Sequence, residues 1–580
     1  MSESLEKIKE KKKQWEERVL APTLKRFRMA ESPTKFYTPA DIPNFDFLEK
    51  VGFPGQYPFT AGVYATNPQA AGTKGGGFIG AAPGLRRAGR YSGYGTPEDT
   101  RDYYKRMTAL GSKAGPNMAF DLPTQCGYDS DSPIIKGEVG KVGVAVDSLQ
   151  DFEIIYEAFT GERDLDKIAS NWTINAPANI YVAFYIALAE KRGVPIAKLR
   201  GTPQNDILKE FVARGTYIFP PRPSMRMFRD SVAFFTQHLP EINITSIGGY
   251  HMREAGATRE QDLAFSMANA IAYFKAGVEA GVDIDVFAPK FTFNGFGGSM
   301  ELFKEVAFQR AARRMYAKIL REKFNSKNPR SWLIRQPMSA HIGCSAAVAQ
   351  RPLNNLIRTV VGGTAGALSG GPPNLFPPYD EPLGLGWSME AIQLAEDGAR
   401  ILQYEAKLTE VSDPLAGSYY VEALTDETEE AVWKELEKLE AMGGAVAAIE
   451  NGYMIREIAR SAHERQQRIE RGEDLIVGVN CFMDESELDV RPQQTVAHPY
   501  NPEKRQQAEE AQIAKLRSLK QNRDNRAVAS ALKELEAAAK KEEVNLMPYF
   551  IECAKLYVTE QEMCDVLRGI FGEYEASSLF

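Results

Sequence analysis

The chain has 580 residues, of which 43% are hydrophobic and 25% are charged, and its formal net charge is −7. A chain of this size and composition predicts roughly two to four globular domains, and its mild acidity gives no support for a nucleic-acid partner. The five cysteines lack the spacing of a disulfide framework or a zinc site, and no signal peptide or membrane span is indicated, so a cytoplasmic protein with reduced thiols is expected.

The domain organisation follows changes in composition along the chain. Residues 1–35 are charged and amphipathic and predict an N-terminal helical extension that contacts another surface, such as a second subunit. Residues 36–86 read as an extended arm and a glycine-rich loop. Residues 87–410 are the predicted barrel, residues 411–490 a helical continuation of it, and residues 491–580 a linker and C-terminal helices.

Strand-like and helix-like segments alternate through the central region. Strands are predicted at residues 87–95, 117–123, 169–177, 199–204, 243–251, 286–296, 331–339 and 359–368. Helices are predicted at residues 97–110, 149–159, 178–191, 206–212, 259–280, 299–324, 345–356 and 388–408. Because this alternation is typical of parallel strands joined by helices, it predicts an α/β fold, a (β/α)8 TIM barrel.

Several predicted strands carry hydroxyl and amide side chains where a packed barrel would carry valine, isoleucine and leucine. They are Asn171, Thr173 and Asn175, Thr202 and Gln204, Thr245 and Ser246, and Thr292 and Asn294. Two interpretations stay open at this point. Either these side chains line a hydrated or ligand-filled barrel axis, or they face outward and form local hydrogen bonds.

His251 lies at the predicted carboxyl end of a strand, behind two glycines and Tyr250. The carboxyl ends of barrel strands are where catalytic groups are placed, so His251 is the first candidate, and a buried structural histidine is the alternative. Arg214 can bind a carboxylate through two parallel hydrogen bonds, or it can form a structural ion pair.

Three further side chains are candidates on the same basis. Tyr91 offers a hydroxyl at the end of the first predicted strand, Lys290 a cation for a phosphate, and Glu381 an acceptor for a ribose hydroxyl. Each also has a structural interpretation, as a core tyrosine, a surface lysine and a helix cap. The residues taken alone therefore indicate a large barrel enzyme with a polar axis.

Seven motifs resemble the substrate-binding part of methylmalonyl-CoA mutases and related acyl-CoA mutases. They are Tyr37-Thr-Pro-Ala-Asp41, Gly52-Phe-Pro-Gly55, Ala119-Phe-Asp-Leu-Pro-Thr124, Gly127-Tyr-Asp-Ser-Asp131, Gln204-Asn-Asp-Ile-Leu-Lys-Glu210, Gly249-Tyr-His-Met252 and Asp413-Pro-Leu-Ala-Gly-Ser-Tyr-Tyr420. The resemblance runs from about residue 36 to the end of the chain. It implies a (β/α)8 barrel whose axis holds the CoA chain of the substrate.

The resemblance also implies adenosylcobalamin as cofactor and a radical rearrangement of the acyl carbon skeleton. In this interpretation His251, Gln204 and Tyr91 are catalytic, and Tyr91 and Glu381 contact the adenosyl group. The substrate-binding residues implied are Arg214 at the carboxylate, Thr173 in the acyl channel, and Tyr64, Thr66, Lys290 and Arg335.

The family's cobalt-ligating motif is Asp-x-His-x-x-Gly. None of the five histidines of this sequence lies in such a motif. A small cobalamin-binding subunit is therefore expected as a partner, in a heterotetramer or a dimer of heterodimers. The resemblance further implies that relatives acting on acyl groups without a second carboxylate replace Tyr91 and Arg214. Both are present here, which favours a methylmalonyl-CoA or succinyl-CoA type of substrate.

Departures from the family pattern, in the loop at residues 66–84 and the insertion at residues 370–378, favour a bulkier alkyl- or benzyl-substituted malonyl- or succinyl-CoA equally well. Two other classes remain as alternatives. One is a scaffolding paralogue without activity, and the other is a cobalamin-independent CoA lyase on the same barrel.

Overall fold

The structure is a computed structural model that describes residues 2–32, 34–65, 92–109, 112, 114–335, 346–371, 373, 375, 377–383, 388–483 and 502–576. At the N-terminus, α1 (Ser2–Trp15) and α2 (Ala21–Phe27) are joined by a π-helical turn, and a short α3 (Phe47–Lys50) follows. Trp15 packs on Phe36 with ring centroids 5.9 Å apart, and Lys12 pairs with Asp41 at 2.9 Å. The chain is therefore helical from Ser2 to Phe27.

Five short parallel strands follow one another in chain order. They are β1 (Asn117–Ala119), β2 (Ala169–Thr173), β3 (Arg200–Pro203), β4 (Thr245–Gly248) and β5 (Phe291–Gly295). β2 pairs with both β1 and β3, and β4 pairs with β5. Backbone hydrogen bonds from Asn243 to Gly201 (2.9 Å) and from Ser246 to Gln204 (2.8 Å) continue the pairing from β3 to β4.

Helices separate the strands, as the predicted alternation requires. They are α4 (Pro97–Ala109), α5 (Leu122–Gln125), α6 (Leu149–Tyr156), α7 (Ala178–Lys191), α8 (Pro221–His238), α9 (Tyr250–Glu254), α10 (Arg259–Glu279), α11 (Ile284–Phe287) and α12 (Leu302–Lys318). Most predicted helices are confirmed within a few residues. The helix predicted at residues 206–212 is a single 3-10 turn, and α8 was not predicted at all.

The outer face of the strands packs on these helices. Trp172 of β2 contacts the ring of Tyr185 at 4.9 Å and donates a hydrogen bond to the Tyr156 hydroxyl at 3.1 Å. Met118 and Phe120 are also fully buried in this core. Because side chains alternate along a strand, the neighbours of these residues point to the opposite face of the sheet.

That opposite face carries the polar residues. Asn117, Asn171 and Thr202 are aligned across β1, β2 and β3. Asn243 continues the row with a hydrogen bond to the Thr202 hydroxyl at 2.8 Å, and Arg335 donates to the Asn243 side-chain oxygen at 3.0 Å. Asn117, Asn171 and Thr202 therefore share the face of the sheet opposite the helices, and Thr202 also forms a local hydrogen bond with Asn243.

The predicted strand at residues 359–368 is wrong, because this segment belongs to a helix, α13 (Asn354–Leu368). A glycine-rich run of valine, threonine and alanine has no decisive period, and Gly362 and Gly366 are buried within the helix. The helix predicted at residues 345–356 is displaced accordingly. α14 (Met389–Arg400), with its π-helical extension, matches the last predicted helix.

The C-terminal region is helical, as predicted. It contains α15 (Tyr419–Ala441), α16 (Ala445–Glu450), α17 (Tyr453–Glu470), α18 (Pro502–Asn522), α19 (Asn525–Ala539), α20 (Met547–Lys555) and α21 (Glu560–Phe571). The fully buried Arg310 joins α12 to this region through Asp413 (3.1 Å) and Glu422 (2.7 Å). No helix among the described residues combines the length and the apolar character needed to cross a bilayer.

Candidate active site

The candidate site lies where β2, β3 and β4 end. Asn175 lies two residues after β2, Gln204 follows β3 directly, and His251 is the second residue of the short α9 after β4. Because the strands are parallel and adjacent, their carboxyl ends meet at one edge of the sheet. The structure therefore brings the sequence-predicted Gln204 and His251 to the same edge.

Gln204 is fixed through both its backbone and its side chain. Its amide donates to the Trp172 carbonyl at 2.8 Å and its carbonyl accepts from Ser246 at 2.8 Å, so the residue is held between β2 and β4. Its side-chain oxygen accepts from Asn175 Nδ2 at 2.9 Å and from Lys209 Nζ at 3.1 Å. The side chain is 4% exposed, which makes its orientation a property of the buried network.

Glu210 is the centre of that network. Its Oε1 accepts from Asn175 Nδ2 at 2.7 Å and from Lys209 Nζ at 2.8 Å. Its other oxygen accepts from the backbone amide of Thr216 at 3.2 Å and from the hydroxyl of the same residue. Lys209 and Glu210 are both inaccessible to solvent, so they form a buried ion pair whose remaining polar groups are satisfied. We call Asn175, Gln204, Lys209, Glu210 and Arg214 the polar cluster.

Arg214 forms an ion pair with Glu210 but donates no hydrogen bond to it. Its Nη1 lies 3.6 Å from Glu210 Oε1, an ion-pair distance but not a hydrogen bond. Nη1 is buried and has no hydrogen-bond partner among the described residues. A buried guanidinium nitrogen left unpaired is costly unless a ligand completes it, so this atom is a ready donor for an anionic group.

His251 follows a turn that only glycine can form. A Cβ on Gly249 would lie 1.9 Å from Asp262 Oδ1, and the Gly248 amide donates to Asp206 Oδ2 at 2.8 Å. Tyr250 and His251 are in ring contact at 3.8 Å. The half-buried imidazole therefore follows a turn that is hydrogen-bonded to Asp206 and packed closely against Asp262.

Burial raises the pKa of both of those carboxyl groups. The pKa of Asp262 rises to about 7, because burial outweighs the nearby Arg253 and the hydrogen bond from Gly297. The pKa of Asp206 is also raised by burial, against the attraction of Lys209 and the hydrogen bonds from Gly248 and Tyr273. Asp206 accepts a hydrogen bond from the turn itself, through Gly248, whereas Asp262 accepts one from Gly297 at 3.0 Å.

Some of the remaining predicted site residues lie at different positions along the strands. Thr173 is half-buried at the end of β2, in the same edge as Gln204. Lys290 and the Arg335 side chain lie toward the amino ends of β4 and β5, since Arg335 Nη1 reaches Asn243 and the Pro289 carbonyl. Burial lowers the pKa of Lys290.

Tyr64 is exposed, and Glu381 is half-buried at the start of a 3-10 helix, Glu381–Leu383. Tyr91 and Thr66 lie outside the described residues.

Three members of the site were not singled out from the sequence as site residues: Asp206, Lys209 and Glu210. The signal available was a run of three charged residues in five positions beside Ile207, Leu208 and Phe211. The motif Gln204–Glu210 contains all three, but adjacent charged residues in an apolar segment are more often solvated than buried, so their burial was not predicted.

The fold and the site define a parallel α/β protein with a buried, cation-containing polar cluster at the carboxyl edge of its strands. Comparison with known proteins narrows this class. The methylmalonyl-CoA mutase family model matches residues 30–573, so the chain belongs to the methylmalonyl-CoA mutase family.

Curated relatives agree with this assignment. The chain is 38% identical over 546 residues to the 2-hydroxyisobutanoyl-CoA mutase large subunit of Aquincola tertiaricarbonis, covering 94% of this chain and 91% of that protein. It is 38% identical to the methylmalonyl-CoA mutase large subunit of Streptomyces virginiae, covering 93% of this chain and 70% of that protein. It is 38% identical to the methylmalonyl-CoA mutase of Escherichia coli (strain K12), with coverage of 93% and 71%. The relatives are acyl-CoA mutases, which are isomerases.

Proposed function

We propose that this chain is the substrate-binding subunit of an adenosylcobalamin-dependent mutase that rearranges the carbon skeleton of a carboxylated acyl-CoA. The observation that carries the proposal is Arg214, whose buried Nη1 lacks a hydrogen-bond partner among the described residues. It belongs to the same polar cluster as Gln204, next to the strand that leads to His251.

The charge balance of the site supports a carboxylated acyl group. Glu210 is hydrogen-bonded by Asn175, Lys209 and Thr216, so it does not need Arg214 as a donor. A methyl group placed against Arg214 would leave its buried Nη1 without a hydrogen-bond acceptor, whereas a carboxylate would accept from it. The relative named a 2-hydroxyisobutanoyl-CoA mutase acts, by its name, on an acyl group without a second carboxylate, so family membership alone does not decide between the two.

The closed (β/α)8 barrel is part of the proposal. Five parallel strands in chain order support it, together with hydrogen bonds that add a segment at each side. Ala119 donates to the Ser92 carbonyl at 2.6 Å, and Phe293 donates to the Arg335 carbonyl at 3.2 Å. In such a barrel the CoA chain lies along the polar row, with Lys290 and Arg335 toward one end and Gln204 and His251 toward the other.

The residues described here fit adenosylcobalamin as far as its adenosyl group is concerned. Glu381 presents a half-buried carboxylate, which is an acceptor suited to ribose hydroxyls, and it is the residue that would hold this group. Adenosylcobalamin, when bound, supplies a reversible source of radicals for hydrogen abstraction. The residue that would ligate cobalt is proposed to belong to a small partner subunit, and the large-subunit names of two relatives support that proposal.

The residues of this chain position and shield the acyl group. Arg214 binds the free carboxylate, and Gln204 donates to an acyl oxygen from its fixed position between the strands. His251 donates a hydrogen bond to the thioester carbonyl and stabilises the migrating group. Thr173 lines the channel beside them. Positioning of this kind lowers the barrier without any covalent step by the protein.

Turnover with a panel of acyl-CoAs tests the proposal. The chain is incubated with adenosylcobalamin and a cobalamin-binding small subunit, and isomers are separated by liquid chromatography and mass spectrometry. The panel contains methylmalonyl-, ethylmalonyl-, benzylsuccinyl-, isobutyryl- and 2-hydroxyisobutyryl-CoA. Isomerisation of one or more carboxylated acyl-CoAs, in preference to the other two, is the expected result. Preference for isobutyryl- or 2-hydroxyisobutyryl-CoA would contradict the proposal, and no turnover of any substrate would favour the scaffolding alternative.

A further inference from the structure

We propose that Lys209 and Asn175 are positioning residues that fix the Gln204 carboxamide so that it presents only hydrogen-bond donors to the acyl group. This inference rests on the proposed function for the identity of the ligand. The orientation itself depends only on contacts within the chain.

The first step concerns Asn175, whose side chain is oriented from both ends. Its Nδ2 lies 2.7 Å from Glu210 Oε1, and a carboxylate oxygen is an acceptor. Its Oδ1 accepts from the backbone amide of Asp206 at 2.9 Å. Reversing the amide would place a donor against a donor and an acceptor against an acceptor. Asn175 therefore presents N–H groups to Glu210 and to Gln204.

The second step concerns Gln204. One end of its carboxamide faces Asn175 Nδ2 at 2.9 Å and Lys209 Nζ at 3.1 Å. Lysine has no acceptor, and Asn175 is already fixed as a donor, so the atom facing them must be the carboxamide oxygen. The two N–H groups of Nε2 then point away from Lys209. They make no hydrogen bond to any described residue, which leaves them for a ligand.

The third step links the two ends of the acyl group. Lys209 Nζ also donates to Glu210 Oε1 at 2.8 Å, and the same oxygen lies 3.6 Å from Arg214 Nη1. One buried lysine thus holds both the Gln204 oxygen and the carboxylate that keeps Arg214 in place. A site built in this way presents donors only, and it selects ligand groups that are acceptors only, such as a thioester carbonyl and a carboxylate.

Thermal unfolding of the chain without ligand tests the orientation. Gln204→Glu retains an acceptor toward Lys209 and Asn175, whereas Gln204→Met removes it and leaves two buried donors unpaired. The melting temperature of Gln204→Glu is expected to stay within about 2 °C of the unaltered chain, and that of Gln204→Met to fall by about 3 °C or more. Equal losses in both variants would overturn the proposed orientation.

A double-mutant cycle with Lys209→Met tests the role of the lysine. With Lys209 replaced, the added carboxylate of Gln204→Glu loses its cation and faces Glu210, so the substitution is expected to lower the melting temperature in that background only. If Gln204→Glu changes the melting temperature equally with Lys209 and with Lys209→Met, the lysine does not orient Gln204 and the proposal is wrong. Should Lys209→Met fail to fold, the comparison of the two Gln204 variants still decides the orientation.

Ligand binding supplies the second readout. In calorimetric titrations with butyryl-CoA, Gln204→Glu is expected to raise Kd by about tenfold or more, because an acceptor replaces the donors that face the thioester oxygen. The effect is expected to be smaller in the Lys209→Met background, where the amide can reverse. An unchanged Kd in Gln204→Glu would overturn the inference. If the unaltered chain binds no acyl-CoA at all, the proposed function fails, while the thermal measurements still decide the orientation of Gln204.

Discussion

Replacing Arg214 with methionine is expected to remove the preference for a carboxylated substrate while leaving the fold intact. The fold survives because Glu210 keeps its hydrogen bonds from Asn175, Lys209 and Thr216, and Arg214 contributes only an ion pair at 3.6 Å. Methionine also replaces the aliphatic part of the arginine side chain. The perturbation is therefore confined to the group that faces the ligand.

The size of the effect follows from the contacts that are lost. Hydrogen bonds to a charged group are worth about 1.5–3 kcal/mol each, and Arg214 offers two to a carboxylate. Its side chain is 24% exposed, so solvent screening reduces the sum to about 3 kcal/mol. That corresponds to a loss of roughly 100-fold in kcat/KM for methylmalonyl-CoA. Isobutyryl-CoA, in which a methyl group replaces the carboxylate, should lose nothing.

The assay compares kcat/KM for the two substrates in the reconstituted enzyme, with Arg192→Met as the control. Arg192 is similar to Arg214 in exposure, at 20%, but it lies at the end of α7, where it donates to the Phe159 carbonyl at 2.9 Å and to Asp164 at 3.2 Å. The control should leave the ratio of the two kcat/KM values unchanged. A parallel loss for both substrates in Arg214→Met would refute a carboxylate-specific role.

Three further outcomes are expected. Arg310→Met leaves Asp413 and Glu422 as buried carboxylates without their cation. The free energy of unfolding, measured by denaturant titration, should therefore fall by about 3–5 kcal/mol. A change below about 1 kcal/mol would contradict this expectation. Burial raises the pKa of Asp121 to about 6, above the unfolded value of about 3.9, so its contribution to stability is full below the unfolded pKa and is lost as the pH rises through about 6. Between pH 5 and 7.5 this amounts to about 1 kcal/mol, and Asp121→Asn should flatten the pH dependence by that amount, whereas an unchanged slope would argue against the assignment. The purified chain with adenosylcobalamin alone should be inactive and should bind the cofactor poorly, and turnover without a partner subunit would refute that expectation.

Much of the fold could be predicted because the hydrophobic periodicity, and the residues that end helices and strands, agree with the tertiary structure. The helix expected at residues 178–191 is found with the same bounds. Its apolar run is longer than a typical buried strand, so the sequence favours a helix over a strand there. β2 to β5 were likewise found within their predicted ranges, although each is shorter than predicted. In each case the local signal and the packed structure require the same conformation.

The errors have physical reasons. No helix is predicted at residues 221–238, but α8 begins at Pro221, where a proline at the first helical position loses no hydrogen bond. α13 was taken for a strand because its glycines and β-branched residues disfavour a helix locally, and packing overrides that preference.

The candidate site was predictable only in part. Gln204, Arg214 and His251 could be named from the sequence, and the structure places Gln204 and Arg214 in one hydrogen-bonded and ion-paired network. The buried Lys209–Glu210 pair could not be named, because its burial depends on neighbours from three different strands and loops. The direction of the Gln204 amide likewise follows from contacts that no spacing along the chain encodes.

The most direct test is a calorimetric titration of the purified chain, without cobalamin or a second subunit, with succinyl-CoA and with butyryl-CoA. The two ligands differ in whether a carboxylate or a methyl group reaches Arg214. Succinyl-CoA is expected to bind at least about tenfold more tightly, with the advantage lost in Arg214→Met. Equal affinities in the unaltered chain, or tighter binding of butyryl-CoA, would contradict the central claim that a partly buried arginine receives the acid group of the substrate.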